Sequence, residues 1–239
     1  IPIKQSSKQL WIRRSISKGC RFYIKIMQWM GLLTFAFGGQ QVLAKKLHQQ
    51  TGNLLIANHP TLLDAVFLLS LHSNLCCITK TSLARNPFTA SIISMAGYLR
   101  NDDAGFIEQA RHKLARGETL LIFPEGTRSS HGYNLQFKRG AANIGILTGC
   151  HIVPVIIQCT PPTLQKGKPW YCIPDKAPHF TLSAGEVIIP ASHVNSAKPV
   201  TIQYRQLTVA LQKIYRTYLN RLSDLNGKVN SEEMMGSKP

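Results

Sequence analysis

The sequence predicts a single α/β domain, a mostly parallel mixed sheet covered by helices, preceded by a basic helical segment. From residue 51 onward, short aliphatic runs of strand length alternate with helical stretches. The runs are nearly continuous in apolar residues, as in strands covered on both faces. With 239 residues, 44% of them hydrophobic, the chain has material for one sizeable core and a short appendage.

The appendage is residues 1–48. Residues 1–63 hold no acidic side chain, while Lys4, Lys8, Arg13, Arg14, Lys18, Arg21, Lys25, Lys45 and Lys46 fall among Trp11, Ile16, Phe22, Tyr23, Met27 and Trp29. The whole chain carries a net charge of +17, from 28 Lys and Arg against 11 Asp and Glu, which calls for an anionic partner. Cations interleaved with Trp, Phe and aliphatics suit a helix lying at an anionic membrane surface; a nucleic-acid stripe would be less apolar. The most apolar stretch, 26–39, falls short of the roughly 18 to 20 residues that cross a bilayer. It predicts an interfacial or re-entrant segment, with a tilted span reaching back to Phe22 or a buried hairpin as alternatives. No cleavable leader is read, and the opening at Ile1 rather than Met leaves room for a missing natural N-terminus.

The domain itself is expected over 49–222. Strands are predicted at Asn53 to Ala57, Leu75 to Thr79, Thr119 to Phe123 and Ile152 to Gln158, and helices near 62–71, 87–96, 104–116 and 138–148. Pro161-Pro162, Gly167, Pro169, Pro174 and Pro178 mark a loop before a strand from His179 to Ile188. A last amphipathic helix over 201–222 places Leu207, Leu211, Ile214, Tyr218 and Leu222 at helical spacing, and 223–239 reads as a flexible tail. Cys20, Cys76, Cys77, Cys150, Cys159 and Cys172 show no metal-ligand spacing and read as small core residues in a reducing compartment. No metal site is expected.

Two motifs close predicted strands, where α/β folds expose functional side chains. In Asn58-His59-Pro60-Thr61-Leu62-Leu63-Asp64, His59 can act as general base with Asp64 fixing its tautomer. An H-x4-D spacing arises by chance in about one such sequence in six, so alone it decides little. Phe123-Pro124-Glu125-Gly126-Thr127-Arg128-Ser129 supplies the second strand end, with one carboxylate and one guanidinium on a Pro-Gly turn that could hold a polar or phosphorylated acceptor. Glu125 and Arg128 could instead form a local ion pair. Lys138 and Arg139, before Gly140, stand at a helix start, where they would contact a donor phosphate or be merely solvated.

NHPTLLD and FPEGTRS, in this order, resemble the first and third blocks of the phospholipid/glycerol acyltransferase family, whose best-known members are lysophosphatidate acyltransferases. Ile152-Val153-Pro154-Val155 resembles the fourth block. The resemblance implies acyl transfer to a hydroxyl of a lysophospholipid or related acceptor without an acyl-enzyme, with His59 and Asp64 catalytic. Acyl-CoA or acyl carrier protein would be the co-substrate, with no other cofactor. It implies that Glu125, Gly126 and Arg128 shape the acceptor site; Asn58, Thr127, Arg100 and Lys138 complete the candidate binding set. It also implies a peripheral or monotopic place on the cytoplasmic face of an inner membrane, with a single span as the alternative.

One departure stands in Gly97-Tyr98-Leu99-Arg100-Asn101-Asp102-Asp103, where the family's second block ends on an arginine that meets the acceptor phosphate. Asp103 holds that place, and a strand would turn Arg100 to the opposite face from it. This argues against phosphate binding there, and the Asp102-Asp103 pair reads better as the N-terminal anions of the next helix than as metal ligands.

Two other functions compete. An acyl-thioester or lipid hydrolase would use similar groups, but no G-x-S-x-G elbow occurs. A non-enzymatic basic surface-binding protein accounts for the charge and leaves both strand-end motifs unexplained.

Overall fold

The computed structural model describes residues 2–38, 43, 52–129, 135–169 and 171–236. Its described strands are β1 (Thr34–Gly38), β2 (Leu54–Ala57), β3 (Leu75–Thr79), β4 (Leu99–Arg100), β5 (Thr119–Ile122), β6 (Ile152–Thr160) and β7 (His179–Ala184). They form one sheet in the order β1-β7-β6-β2-β5-β3-β4, parallel throughout except for the antiparallel β6–β7 pair. The helices are α1 (Pro2–Trp29), α2 (Asp64–Leu71), α3 (Thr81–Arg85), α4 (Pro87–Met95), α5 (Phe106–Ala115), α6 (Gly140–Thr148) and α7 (Val200–Gly236), with a 3₁₀ turn at Pro190–His193.

The continuous apolar strands are buried on both faces, as their composition requires. Along β2, Leu54 and Ile56 join one core with Ala110 and Leu114 of α5, Ile144 of α6, and Leu207, Leu211 and Tyr215 of α7. Leu55 and Ala57 join the other, with Ile24 of α1 and Phe67 and Leu68 of α2. Because β2, β3 and β5 are parallel neighbours, their carboxyl ends lie along one edge of the sheet. The residues that follow them, His59, Lys80 and Glu125, are therefore gathered at that edge.

Helix α1 is pinned to this domain by an ion network. Arg13 is 3% exposed; its guanidinium donates to Glu118 Oε2 at 2.6 Å, Ala96 O at 2.8 Å and Asn74 Oδ1 at 3.1 Å. Lys113 Nζ reaches the same Glu118 oxygen at 3.2 Å. Gly97, with φ of 62°, sits so close beneath α1 that a Cβ there would meet the Gln9 side chain. On the far side of α1, Trp11, Lys18, Phe22 and Trp29 fall on one helical stripe and are all exposed, Trp29 to 87%.

Several expectations change. Arg13, read with the surface cations, belongs to the interior because Glu118 is there to receive it. Stretch 26–39 is not one interfacial segment: α1 ends at Trp29 and Thr34–Gly38 becomes an edge strand paired with β7. The boundary expected at residue 48 lies outside the described residues. The last helix runs Val200–Gly236, so the backbone of 223–236 continues it rather than forming a tail. Its buried stripe is Leu207, Leu211, Tyr215 and Leu219, with Ile214 and Tyr218 flanking. Cys172 is exposed, unlike the buried Cys76, Cys77 and Cys150. No helix among the described residues is long and apolar enough to cross a membrane.

Candidate active site

The turn leaving β2 places His59 and Asp64 in contact. His59 Nδ1–H donates to Asp64 Oδ2 at 2.7 Å, with the His59 side chain 19% exposed and Asp64 fully buried. Asp64 is fixed further by Thr61, whose backbone N–H donates to Oδ2 at 2.7 Å and whose hydroxyl donates to Oδ1 at 2.6 Å. Burial pushes the Asp64 carboxyl upward, opposed by the His59 contact and the two bonds from Thr61. With Nδ1 committed to the carboxylate, Nε2 is the nitrogen left to take a proton from a substrate. Phe123, at the end of β5, stacks on the imidazole with ring centroids 4.2 Å apart.

The second motif is joined to the first by hydrogen bonds. Glu125 Oε1 accepts from the His59 backbone N–H at 3.0 Å and from the Ser129 hydroxyl at 2.9 Å, and Ser129 N–H donates to His59 O at 2.7 Å. Glu125 is buried, and that desolvation raises its carboxyl above the ordinary range. Its role is thus to lock the two turns together, and it does not pair with Arg128. The Arg128 guanidinium donates to the carbonyls of Leu164 at 2.9 Å and Gln165 at 3.1 Å, tying the long loop after β6 to the site. Gly126 has φ of 67°, a backbone that disfavours any side chain, and a Cβ there would stand 3.2 Å from the Lys138 chain. Lys138 therefore lies over the turn, held also by its N–H donating to Pro124 O at 2.8 Å. Thr127 is exposed beside them.

Two candidates are engaged by the protein's own groups. Asn58, expected at the substrate, is 3% exposed and pairs both ends of its amide with the Ile157 backbone on β6, each at 2.8 Å. It splices β2 to β6 where the first turn begins. Arg100 and Asp103, expected on opposite faces, meet: β4 ends at Arg100, the chain turns, and Arg100 Nη2 lies 3.1 Å from Asp103 Oδ1 and Nε 3.6 Å from Asp102. The i,i+3 spacing of a turn, unlike a strand, puts the two side chains together.

Thr61 is a further residue of the site, signalled in the sequence by a T-x-x-D spacing like that of a capping box. Tyr215, which no local motif marks, donates its hydroxyl to Ile56 O at 2.6 Å beneath the site. Cys159 on β6 is the thiol that feels the Asp64 charge, and burial pushes it up to about 12, so it stays protonated at neutral pH.

A buried carboxylate orienting a half-buried imidazole, with two rigid turns around it, can perform general-base chemistry on a hydroxyl. A family model described as Acyltransferase matches residues 40–158. The chain belongs to the acyltransferase family. Among its relatives, a 1-acyl-sn-glycerol-3-phosphate acyltransferase of Helicobacter pylori is 35% identical over 112 residues, covering 44% of this chain and 47% of that one. An enzyme of the same name from Borreliella burgdorferi is 28% identical over 147 residues, covering 59% and 57%. The chain thus spans about half the length of these relatives. The crystal structure of the 1-acyl-sn-glycerophosphate acyltransferase PlsC from Thermotoga maritima superposes with a TM-score of 0.68 over 90% of this acyltransferase and 81% of that chain. At 21% identity this similarity shows the shared fold.

Proposed function

We propose that this acyltransferase moves a fatty acyl group from an acyl thioester, acyl-CoA or acyl carrier protein, to the free hydroxyl of a lysophosphatidate-type acceptor. The observation that carries the reading is the 2.7 Å bond from His59 Nδ1–H to the buried Asp64 carboxylate. His59 Nε2 takes the proton as the acceptor oxygen attacks the thioester carbonyl, Asp64 stabilises the imidazolium, and the collapsing tetrahedral intermediate expels the thiolate, which takes the proton back from His59. A thioester is already activated, so a positioned base and orientation suffice and no acyl-enzyme is needed. The nearby Cys159 is protonated, and the Ser129 hydroxyl donates to Glu125 rather than to the imidazole. Neither group is set up as a nucleophile, which weighs against the hydrolase alternative.

The relatives' names favour a glycerol-phosphate acceptor, with Lys138 and Arg128 of the neighbouring turn as the cations offered to its phosphate. Against a phosphate at the end of β4 stands Arg100, already paired with Asp103. The exposed stripe of α1, Trp11, Lys18, Phe22 and Trp29, would hold the enzyme on the cytoplasmic surface of an anionic membrane, where the acceptor resides.

The test is thiol release from acyl-CoA with an acceptor panel of lysophosphatidate, lysophosphatidylcholine and a long-chain alcohol. Release that requires an acceptor and is fastest with lysophosphatidate is expected. Equal release without acceptor would show a thioesterase; preference for the alcohol would move the acceptor away from phosphate.

A further inference from the structure

Helix α4 presents its apolar side to solvent. Phe88, Ile92 and Met95 stand at i, i+4 and i+7, one stripe of the helix, and are 86%, 47% and 53% exposed. Among its nine residues only Ile93 is buried. A surface helix of a soluble domain places such a stripe inward, and an outward stripe of large apolar residues marks an interaction surface. Leu83 on α3 extends it at 47% exposure.

The α3–α4 hairpin is firmly built, so its exposure is not a matter of fraying. Asn86 caps α4 by accepting from Phe88 N–H at 2.9 Å, Pro87 occupies its first turn, and the Thr89 hydroxyl donates to Leu83 O. The carboxyl end of α4 meets α1, where Arg13 donates to Ala96 O. Lys80 and Arg85 are exposed on the hairpin; Asp102, which bonds Thr81 at its start, is itself paired with Arg100, so the hairpin stays net basic. Apolar side chains rimmed by a net basic charge match an anionic lipid surface and repel a basic protein partner.

We propose that the α3–α4 hairpin is a second membrane-docking element of this enzyme, inserting Leu83, Phe88, Ile92 and Met95 among the lipids while Lys80 and Arg85 meet anionic headgroups. The proposal rests on the membrane-surface part of the reading above. Its consequence is positional. Lys80 follows β3 at the same sheet edge where His59 follows β2 and Glu125 follows β5. A bilayer touching this hairpin as well as α1 sits beside that edge, so a single-chain lipid can offer its hydroxyl to His59 while its acyl chain stays in the membrane.

The experiment is partition of the full chain onto vesicles of phosphatidylglycerol and phosphatidylcholine, comparing the native protein with Phe88→Ser/Ile92→Ser, Lys80→Gln/Arg85→Gln, Trp29→Ser on α1, and Val209→Ser, an exposed apolar side chain on α7, as control. Urea unfolding and size-exclusion chromatography check folding and association state. Phe88→Ser/Ile92→Ser is expected to weaken partition by about tenfold or more. Lys80→Gln/Arg85→Gln should weaken it by about tenfold on phosphatidylglycerol alone, and Val209→Ser should leave it unchanged. If the hairpin variants bind as the native protein does while Trp29→Ser binds weakly, α1 alone docks and the proposal is wrong. A native dimer made monomeric by Phe88→Ser/Ile92→Ser without change in partition would assign the stripe to a second copy. A native protein that ignores all vesicles would overturn the membrane reading itself, and the hairpin proposal with it.

Discussion

Replacing Asn58 by alanine tests whether that residue serves the fold or the substrate. The Asn58 amide makes two hydrogen bonds to buried backbone, accepting from Ile157 N–H and donating to Ile157 O, both at 2.8 Å. Truncation leaves both Ile157 groups without partners inside a strand that is buried at that point. Each orphaned buried group costs about 1 to 3 kcal/mol, so Asn58→Ala should lose about 2 to 6 kcal/mol. With a urea slope of about 2 kcal/mol per molar, the unfolding midpoint falls by about 1 to 3 M. Asn58→Asp refines the test. Its carboxylate still accepts from Ile157 N–H but sets a negative oxygen against Ile157 O, which raises its pKa in the folded state. The defect is therefore smallest below the unfolded carboxylate pKa, where the protonated acid can donate, and grows as pH rises through the folded value. Urea unfolding at several pH values measures both variants. An Asn58→Ala protein that unfolds at the native midpoint yet loses acyl transfer would refute the reasoning and return Asn58 to the substrate.

Glu125→Gln keeps an acceptor for His59 N–H and removes a buried charge whose pKa burial raises. Its stability relative to the native protein should climb with pH through the acid range and level off above the folded Glu125 pKa, as read by unfolding midpoints. Arg13→Ala strands the buried Glu118 with Lys113 as its remaining ionic partner and should cost about 3 to 5 kcal/mol in the same assay. Thr61→Val removes the hydroxyl that steadies Asp64; kcat should fall about tenfold with KM unchanged, and Thr61→Ser should restore it.

The parallel centre of the sheet was legible because β2, β3, β5 and β6 are continuous aliphatic runs, which few other local structures accommodate. His59, Asp64 and the FPEGTRS turn were legible because strand ends and residue types coincide. Partners distant in sequence were not. Arg13 and Arg14 look alike until Glu118, 105 residues on, receives the first of them. Thr34–Gly38 carries a short Thr-Phe-Ala-Phe strand pattern that the surrounding apolar stretch 26–39 hides, and it becomes β1 by pairing with β7. Asn58 lies one residue from His59, so its motif points to a substrate role, whereas its amide serves a strand ninety-nine residues away. The core stripe of α7 runs in steps of four through Leu207, Leu211, Tyr215 and Leu219, so it winds slowly around a helix of 3.6 residues per turn and leaves Ile214 and Tyr218 of the expected stripe at its margin.

The most direct measurement is acyl transfer by His59→Ala, assayed by thiol release from acyl-CoA with lysophosphatidate, on protein shown by urea unfolding to be folded. Loss of the general base should lower kcat by about 10² to 10⁴-fold at unchanged fold. Transfer at the native rate by folded His59→Ala would contradict the account.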